Sequence, residues 1–352
     1  MNFTIIPSPF HSLLCSYLLL GLLAAPLAVF GPTASGASTG TATFFPDWID
    51  GPPAASPAEE PAVANTPNAA PACDAALSLA GREFPIDAAT MPHMGSLQFP
   101  EGPQLHDKEV LLTFDDGPHP QRTYEILDIL DRYCVKAVFF AVGEMALEHS
   151  EALREVARRG HVIGTHSFSH PLSLARLGER RAKAEIDMGF AAVSYALGGS
   201  VAPLFRFPGF NQAGYLLDYL SEKKVSVWSV DVVGGDAEFV GAADLPRVLF
   251  RRLHAQNRGV ILLHDIKKAT AERLTDILQQ MKDEGFTVAR PSMPASFAPD
   301  PALMAMFEAG QRRGGRALVH QVAQKFYTGP VSVRSSGRLR RARPVLPEFQ
   351  EQ

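Results

Sequence analysis

Residues 110–118 read VLLTFDDGP, an apolar run that stops at two acidic residues and a Gly-Pro pair. A short apolar run bounded by turn residues is typical of a buried β-strand. The pattern predicts a strand over Val110–Phe114 and a loop over Asp115–Pro118. Two adjacent carboxylates repel each other unless a cation or an arginine offsets their charge. This segment therefore predicts a core strand with a polar site at its C-terminal end.

The sequence pattern of residues 108–290 is similar throughout, with apolar runs that alternate with amphipathic stretches. Further strands are predicted at 137–142, 161–165, 204–207, 225–230, 260–263 and 286–289. Helices are predicted at 121–133, 150–159, 174–197, 212–222, 243–254 and 271–283. Buried strands that alternate with helices are typical of a parallel sheet with right-handed crossovers. Seven such strands favour an α/β fold with a closed or nearly closed barrel.

Polar and ionisable residues that can take part in catalysis recur where the predicted strands end. In βα barrels the loops at the C-terminal ends of the strands build the active site. Segments that are distant in the sequence are therefore expected to converge at one mouth. These segments are Asp115–Pro118, His166–Pro171, Arg206–Gly209, Asp231 and His264–Asp265.

The two histidines of the second segment, His166 and His170, are four residues apart. Because Pro171 disfavours a helical conformation at His170, the pair is expected on a turn. Two imidazoles and one carboxylate supply three metal ligands and leave a position open for water. The alternative is a pair of histidines that are merely hydrogen-bonded in a loop. The Asp115–Asp116 pair favours the metal site, with an arginine neutralising one carboxylate and a divalent metal the other.

Outside residues 108–290 the composition changes. Residues 13–30 are an uncharged apolar run, so residues 1–37 are predicted to be a signal peptide or an uncleaved membrane anchor. Either alternative predicts an exported protein, periplasmic or secreted, with anchoring to the membrane in the second case. Residues 38–107 are rich in Pro and Ala and are predicted to be a disordered linker. Residues 291–352 are predicted to be a basic, disordered tail with a short helix at 301–309.

Charge and cysteine content exclude some classes of partner. The 33 basic and 37 acidic residues give a net charge of −4, which provides no positive field for nucleic acid. The cysteines Cys15, Cys73 and Cys134 form no CxxC motif. Removal of the leader would leave Cys73 and Cys134, which an oxidising compartment would allow to pair. The alternative is two unrelated thiols, with Cys134 buried on a helix.

Four motifs resemble those of the polysaccharide deacetylases with a NodB-homology domain, carbohydrate esterase family 4. They appear in the family's order across residues 108–290, about half of the chain. The resemblance implies a distorted (β/α)7 barrel. It also implies metal-dependent removal of acetyl groups from N-acetylglucosamine-containing glycans, either chitooligosaccharide or peptidoglycan. The motifs are Thr113–Pro118, His166-Ser167-x-x-His170-Pro171, Arg206-x-Pro208 and Leu262–Asp265.

The resemblance also implies a role for each matching residue. Three residues are expected to bind a divalent metal, usually zinc and sometimes cobalt or nickel, and six others to serve the reaction. The metal ligands are Asp116, His166 and His170; Asp115 is the general base, His264 the general acid, Arg206 the partner of Asp115, Asp231 an orienting carboxylate, and Pro208 with the backbone of Gly209 the oxyanion and substrate contact.

The chain departs from the family pattern in two motifs. Gly209 stands where many members carry an aromatic residue, and residues 231–236 contain no Trp. These departures leave a catalytically silent carbohydrate-binding relative as an alternative. A non-haem iron oxygenase also uses two histidines and one carboxylate. The alternating α/β pattern disfavours it, because such enzymes typically have antiparallel β folds.

Overall fold

The computed structural model describes residues 72–238 and 241–311. The predicted leader at 1–37, the first part of the predicted linker at 38–71 and the end of the predicted tail at 312–352 lie outside the described residues. No helix of the described ranges is both long and apolar enough to cross a bilayer.

The described residues form an α/β fold with ten strands. All seven strands expected from the sequence are present, and three further short strands join them. The strands are β1 (Ala80–Pro85), β2 (His93–Met94), β3 (Glu109–Asp115), β4 (Val138–Ala141), β5 (Val162–Thr165), β6 (Leu204–Phe205), β7 (Ser226–Trp228), β8 (Val232–Val233), β9 (Gly259–His264) and β10 (Thr287–Ser292).

Helices connect the strands as predicted, and one additional short helix follows β4. Gly160 and Gly285 lie after two of the helices with φ of 76° and 74°, the left-handed conformation expected of C-terminal glycine caps. The helices are α1 (Arg122–Arg132), α2 (Gly143–Glu148), α3 (Ser150–Arg158), α4 (Glu179–Leu197), α5 (Gly214–Glu222), α6 (Leu245–Gln256), α7 (Lys268–Asp283) and α8 (Pro301–Gln311).

Every named pair of neighbouring strands is parallel, which confirms the predicted sheet type. The main path runs β8-β9-β3-β4-β5-β6-β7-β2. β10 pairs with the start of β3, and β1 pairs with β10, so these two strands branch from the main path. Strand hydrogen bonds do not join β8 to β2. The sheet is therefore a barrel that backbone hydrogen bonds between strands do not close.

A carboxylate spans the open seam of this barrel. Asp231 lies between β7 and β8, and its two oxygens accept hydrogen bonds from the Ser96 and Val260 backbone N–H groups, each at 2.7 Å. The Asp231 N–H donates to the Val260 carbonyl at 2.9 Å. A Cβ on Gly259 would lie 2.4 Å from the Asp231 Cβ, so only glycine permits this approach. One side chain thus connects edges that strand pairing leaves separate.

The prediction of a linker through residue 107 is wrong for residues 72–107. This segment contains β1 and β2, and Leu79, Phe84 and Ile86 are among its buried side chains. Its Ala- and Pro-rich composition suggested disorder, but these apolar side chains pack against the sheet and compensate for the ordering entropy. The folded domain accordingly begins well before residue 108.

The predicted tail boundary at 291 is also wrong. β10 extends to Ser292, and α8 packs against α4 through Leu303 and Phe307, which are both buried. The short helix predicted at 301–309 is confirmed, but it belongs to the folded domain. The ring of Phe307 lies 6.4 Å from that of Phe168, in the loop after β5.

Cys73 and Cys134 form a disulfide with a Cα–Cα distance of 4.9 Å. Cys134 follows α1 with φ of 59° and is half-buried, so the alternative of a thiol buried on a helix is wrong. The bond attaches the beginning of the described segment to the end of α1, across 61 residues of sequence. It therefore restricts the N-terminal segment in the unfolded chain.

We expect replacement of both cysteines, Cys73→Ser with Cys134→Ser, to lower the free energy of unfolding by about 2–4 kcal/mol, because the unfolded chain loses its cross-link. Urea titration followed by circular dichroism measures the change. Wild-type protein with reductant is the matched control and should show the same loss. Free thiols at both Cys73 and Cys134 in protein purified without reductant would contradict the pairing.

Candidate active site

The parity of the strands explains why the candidate residues share one cavity. Successive side chains of a strand point to opposite faces of the sheet. In β3, Leu111 packs inside the barrel with Phe140 and Leu204, whereas Leu112 faces the helices. Four predicted site residues lie in or directly after a strand, at positions where the alternation directs the side chain into the barrel. They are Asp115, His166, Arg206 and His264.

A buried ion pair lies at the centre of the site. Arg206 is fully buried, and its Nη1 contacts Asp115 Oδ1 at 2.7 Å. The guanidinium also donates to the Thr113 hydroxyl at 2.7 Å and to the Ser229 carbonyl at 3.0 Å. Burial lowers the pKa of Arg206, while the Asp115 carboxylate opposes that change. The predicted contact between Arg206 and Asp115 is therefore present, and it leaves Asp115 Oδ2 facing His166 Nε2 at 3.6 Å.

The three predicted metal ligands lie together at the mouth of the barrel. Asp116, His166 and His170 each offer one donor atom, and these atoms lie within 4.8 Å of one another. Asp116 Oδ1 is 3.1 Å from His170 Nε2 and 3.7 Å from His166 Nε2. Burial raises the pKa of Asp116, but the close contact with the His170 ring and the electrostatic influence of His166 and His264 bring it well below its usual range. The cluster thus presents an anion and two imidazoles to one point.

The tautomer of His166 also suits a metal ligand. Its Nδ1 lies 2.7 Å from the Arg206 carbonyl, which can only accept a hydrogen bond, so Nδ1 carries the proton. Burial lowers the pKa of His166 to about 4, so the ring is neutral at neutral pH. Its Nε2 lone pair therefore faces Asp116 and His170, the arrangement usual for a histidine that binds a metal. Asp116 Oδ1 is buried and has no hydrogen bond of good geometry, so it is also free to act as a ligand.

His264 approaches the cluster from the end of β9. Its Nδ1 lies 2.9 Å from Asp236 Oδ1, and its backbone N–H donates to Asp236 Oδ2 at 2.7 Å. Burial lowers the pKa of His264, but the hydrogen bond and charge of Asp236 outweigh this and raise it to about 9. Its Nε2 lies 4.0 Å from Asp116 Oδ2. His264 therefore holds a proton that points into the site at neutral pH.

The orienting role predicted for Asp231 is wrong. Its carboxylate hydrogen-bonds to backbone N–H groups at the barrel seam, and Asp236 is the carboxylate that orients His264. Thr270 in α7 fixes Asp236 with a hydrogen bond of 2.6 Å. Asp236 lies five positions after Asp231, because β8 and a turn separate the seam of the barrel from its mouth.

A second buried carboxylate, Asp265, supports the loop that carries Asp116. It accepts a hydrogen bond from the Thr123 hydroxyl at 2.6 Å, and Thr123 Oγ1 accepts one from the His119 N–H at 2.8 Å. Burial raises the pKa of Asp265 to about 7. A Cβ on Gly117 would lie 2.0 Å from Asp265 Oδ2, so only glycine fits there.

Helix α4 supports the other ligand loop. The carboxylate of Glu185 accepts hydrogen bonds from the Ser169 N–H at 2.9 Å and from the Ser169 hydroxyl at 2.8 Å. Both ligand loops contain non-glycine residues in the left-handed region: Asp116 at φ 75° in one, and Ser167 and His170 at φ 66° and 55° in the other. Such backbone is maintained only where neighbouring groups hold it.

The predicted oxyanion and substrate contacts lie in a short 3-10 helix, Pro208–Phe210, directly after the Arg206 segment. Pro208 is buried and begins the turn. Gly209 is exposed with φ of 56°, and a Cβ there would lie 3.3 Å from Leu172 Cδ2. Gly209 therefore presents bare backbone beside the loop that carries His170.

Comparisons with known proteins agree with this geometry. A family model described as polysaccharide deacetylase matches residues 102–228. The peptidoglycan-N-acetylglucosamine deacetylase of Bacillus cereus is 33% identical over 193 residues, 53% of this chain and 68% of that protein. The chitooligosaccharide deacetylase of Azorhizobium caulinodans is 30% identical over 167 residues, 46% of this chain and 75% of that protein. This chain belongs to the polysaccharide deacetylase family.

A solved structure of a related protein shares the fold of this chain. The Bdellovibrio bacteriovorus peptidoglycan deacetylase Bd3279 superposes with a TM-score of 0.54 and 32% identity, over 63% of this chain and 60% of that one. The chain spans less than half of the length of two other curated relatives, 37% of one and 40% of the other.

Three supporting residues of this member of the polysaccharide deacetylase family were not predicted from the sequence. They are Asp236, Glu185 and Thr123, and each acts through a hydrogen bond between segments distant in sequence. A signal for Asp236 was present, since the sequence offers a second acidic residue soon after Asp231. The other two have no local signal, because they lie within helices whose facing surface is set by packing.

Replacement of Asp236 is expected to change the pH profile. A general acid must be protonated, so the alkaline limb of kcat/KM reports the pKa of His264. Asp236→Asn removes the charge that raises this pKa, and the alkaline limb should move to lower pH by about 1–3 units. The matched control Asp231→Asn should lower the melting temperature and leave the limb in place. An unchanged limb in Asp236→Asn would show that His264 is not the acid.

Replacement of Gly117 tests the support of the Asp116 loop. In Gly117→Ala the new Cβ overlaps the Asp265 carboxylate, so the loop must move and zinc affinity should fall about tenfold or more. Competition with a chromophoric chelator measures the affinity. Gly199→Ala is the matched control, since a Cβ there meets nothing within 4 Å. Wild-type affinity in Gly117→Ala would contradict the role given to Asp265.

Proposed function

We propose that the protein is an exported, metal-dependent hydrolase that removes acetyl groups from N-acetylglucosamine units of glycans. One observation carries the proposal: Asp115, Asp116, His166, His170 and His264 converge on one mouth from three separate segments. The proposed base and acid each have a partner of opposite charge: Arg206 contacts the base, Asp115, and Asp236 contacts the acid, His264.

Asp116, His166 and His170 would hold the metal. Two histidines and a carboxylate with an open position are typical of catalytic zinc, and Co²⁺ or Ni²⁺ accepts the same donors. A bound divalent ion supplies positive charge that polarises the acetamide carbonyl and lowers the pKa of water. We propose Zn²⁺ as the ion.

Asp115 acts as the general base. Its Oδ1 is occupied by Arg206, which fixes the carboxylate, and Oδ2 faces the ligand cluster. Oδ2 therefore accepts the proton of the attacking water while the water oxygen bonds to the carbonyl carbon. The Gly209 N–H donates to the carbonyl oxygen as negative charge develops there, with Pro208 setting the turn.

His264 acts as the general acid. An amide expels its nitrogen only after that nitrogen is protonated, and His264 carries a proton at neutral pH because of Asp236. Nε2 transfers this proton as the C–N bond breaks. The products are acetate and a free amino group on the sugar.

The names of the relatives and the disulfide support a proposal for the substrate and the compartment. The names of the matched relatives specify peptidoglycan and chitooligosaccharide, and we propose an N-acetylated glycan of this class. A disulfide in a folded domain is typical of an exported protein. These two observations together support action on glycan outside the cytoplasm.

Release of acetate from chitooligosaccharides and peptidoglycan tests the proposal. We expect turnover by the zinc-loaded protein and its loss with a chelator. Asp116→Ala should lose both metal and activity, because a ligand is removed. Asp115→Asn should retain metal and lose activity by about a hundredfold or more, because only the base is removed.

Metal content is measured alongside acetate in every variant. Full activity of Asp115→Asn would refute the assigned base. Glycan binding by the zinc-loaded wild type without acetate release would instead favour the catalytically silent alternative.

A further inference from the structure

The loop of residues 166–170, which we call the His170 loop, carries two of the proposed metal ligands. Ser167 and His170 adopt left-handed backbone conformations, which persist only where neighbouring groups fix them. Two hydrogen bonds from the beginning of α2 contribute to this. The Gly143 N–H donates to the Ser167 carbonyl at 3.0 Å, and the Glu144 N–H donates to the Phe168 carbonyl at 2.9 Å. The conformation of the His170 loop therefore depends on the helices packed against it.

Two glycines allow these helices to approach the His170 loop closely. A Cβ on Gly143 of α2 would lie 2.9 Å from Phe168 Cδ2. A Cβ on Gly189 of α4 would lie 2.7 Å from the Ser167 carbonyl carbon. A side chain at either position would displace the loop, because non-bonded carbon atoms do not pack at such distances. The backbone of the loop is thus in direct contact with α2 and α4.

The side chain of Phe168 connects the same loop to α8. Phe168 and Phe307 of α8 are both fully buried, and their ring centroids lie 6.4 Å apart. The Phe307 ring also stacks on Tyr195 of α4, with a centroid distance of 5.8 Å and an angle of 28° between the planes. These rings belong to an apolar cluster that is separate from the main core. Among the described residues, the other buried members of the cluster all lie on α4 and α8: Met188, Ala191, Ala192 and Leu303.

Phe168 is therefore the residue through which α8 can act on the metal site. It lies two residues from His166 and two from His170, so a shift of Phe168 would move both imidazoles. Removal of the Phe307 ring would leave a cavity beside Phe168, and the surrounding groups would relax only partially into it. A functional site requires its side chains to be held within about 0.5 Å of the productive geometry. The match to the family model ends at residue 228 and assigns no role to α8.

We propose that Phe307 is a positioning residue for the metal site. Its contact with Phe168 holds the His170 loop in the conformation that brings the ligands together. Helix α8 thereby sets zinc affinity from outside the barrel, without touching metal or substrate. This inference rests on the proposed function, since it takes the cluster to bind zinc, and it extends that function to a helix beyond the family motifs.

A graded series at position 307 tests the contact. Phe307→Leu keeps an apolar side chain but loses the ring, whereas Phe307→Ala leaves the larger cavity. We expect the zinc dissociation constant to rise about threefold in Phe307→Leu and about tenfold or more in Phe307→Ala, because the loop loses support as volume is removed. Competition with a chromophoric chelator measures both values. An unchanged constant in every folded variant of the series, Phe307→Leu included, would overturn the proposal.

Phe286→Ala is the matched control for loss of stability. Phe286 is a buried phenylalanine directly before β10, which pairs with the beginning of β3 at the end of the barrel opposite the metal cluster. Its replacement should lower the melting temperature but leave the zinc dissociation constant within about twofold of wild type, because distant sites act independently. Equal losses of zinc affinity in Phe286→Ala and Phe307→Ala would show a general effect of stability and overturn the proposal.

A double-mutant cycle shows whether the effect passes through Phe168. Phe168→Leu is combined with Phe307→Leu, and zinc affinity is measured for both single variants and the double variant. The losses should not add, because both substitutions break the same contact, and the double variant should bind zinc within about twofold of Phe168→Leu alone. Fully additive losses would place the effect of Phe307 elsewhere and overturn the proposal.

Zinc binding and acetate release separate this inference from the proposed reaction. Zinc-saturated Phe307→Leu should release acetate within about threefold of wild type, since bound metal stabilises the conformation that binds it. Weaker zinc binding in the Phe307 variants, with no acetate release from the wild type, would support the positioning role and refute the proposed reaction. Acetate release by the wild type, with zinc affinity unchanged in the variants, would refute the positioning role alone.

Discussion

The contact between Arg206 and Asp115 inside the barrel is the interaction on which the rest of the site depends. A fully buried guanidinium is unfavourable unless a counter-ion and hydrogen-bond acceptors replace its water. Asp115, Thr113 and the Ser229 carbonyl provide these partners. The strands that carry these groups are therefore fixed relative to one another by the requirement that the arginine be satisfied. The same contact directs the other oxygen of Asp115 towards the ligand cluster, so the ion pair that satisfies the buried arginine also orients the proposed base.

Around this pair, a second group of carboxylates holds the reacting groups in place. Asp236 fixes His264, Asp265 supports the Asp116 loop and Glu185 supports the His170 loop. The loops need this support because Asp116, Ser167 and His170 adopt left-handed backbone conformations. Each of these acidic residues accepts a hydrogen bond from a group of another element. Under the proposed mechanism, metal affinity and proton transfer would therefore be sensitive to substitutions that touch neither metal nor substrate.

The N-terminal segment has two structural functions that its composition does not indicate. Ser96 donates to Asp231 across the seam of the barrel, so this segment helps to connect edges that strand pairing leaves apart. Its next residues reach the mouth and, through Gln98, contact the loop of Phe210. A segment that completes the barrel is therefore also attached to the turn that carries Gly209.

The amino-acid sequence was sufficient to predict the alternation of strands and helices, the strand-end motifs and the identity of the residues that meet at the mouth of the barrel. These features are local, since they depend on apolar periodicity and on residues adjacent to strand ends. Three features could be seen only in the folded domain: Asp236 and not Asp231 orients His264, residues 72–107 are folded, and the barrel remains open between β8 and β2. They could not be predicted because packing between distant segments selects the partner of a carboxylate and the neighbour of a strand, and no local sequence pattern records that selection.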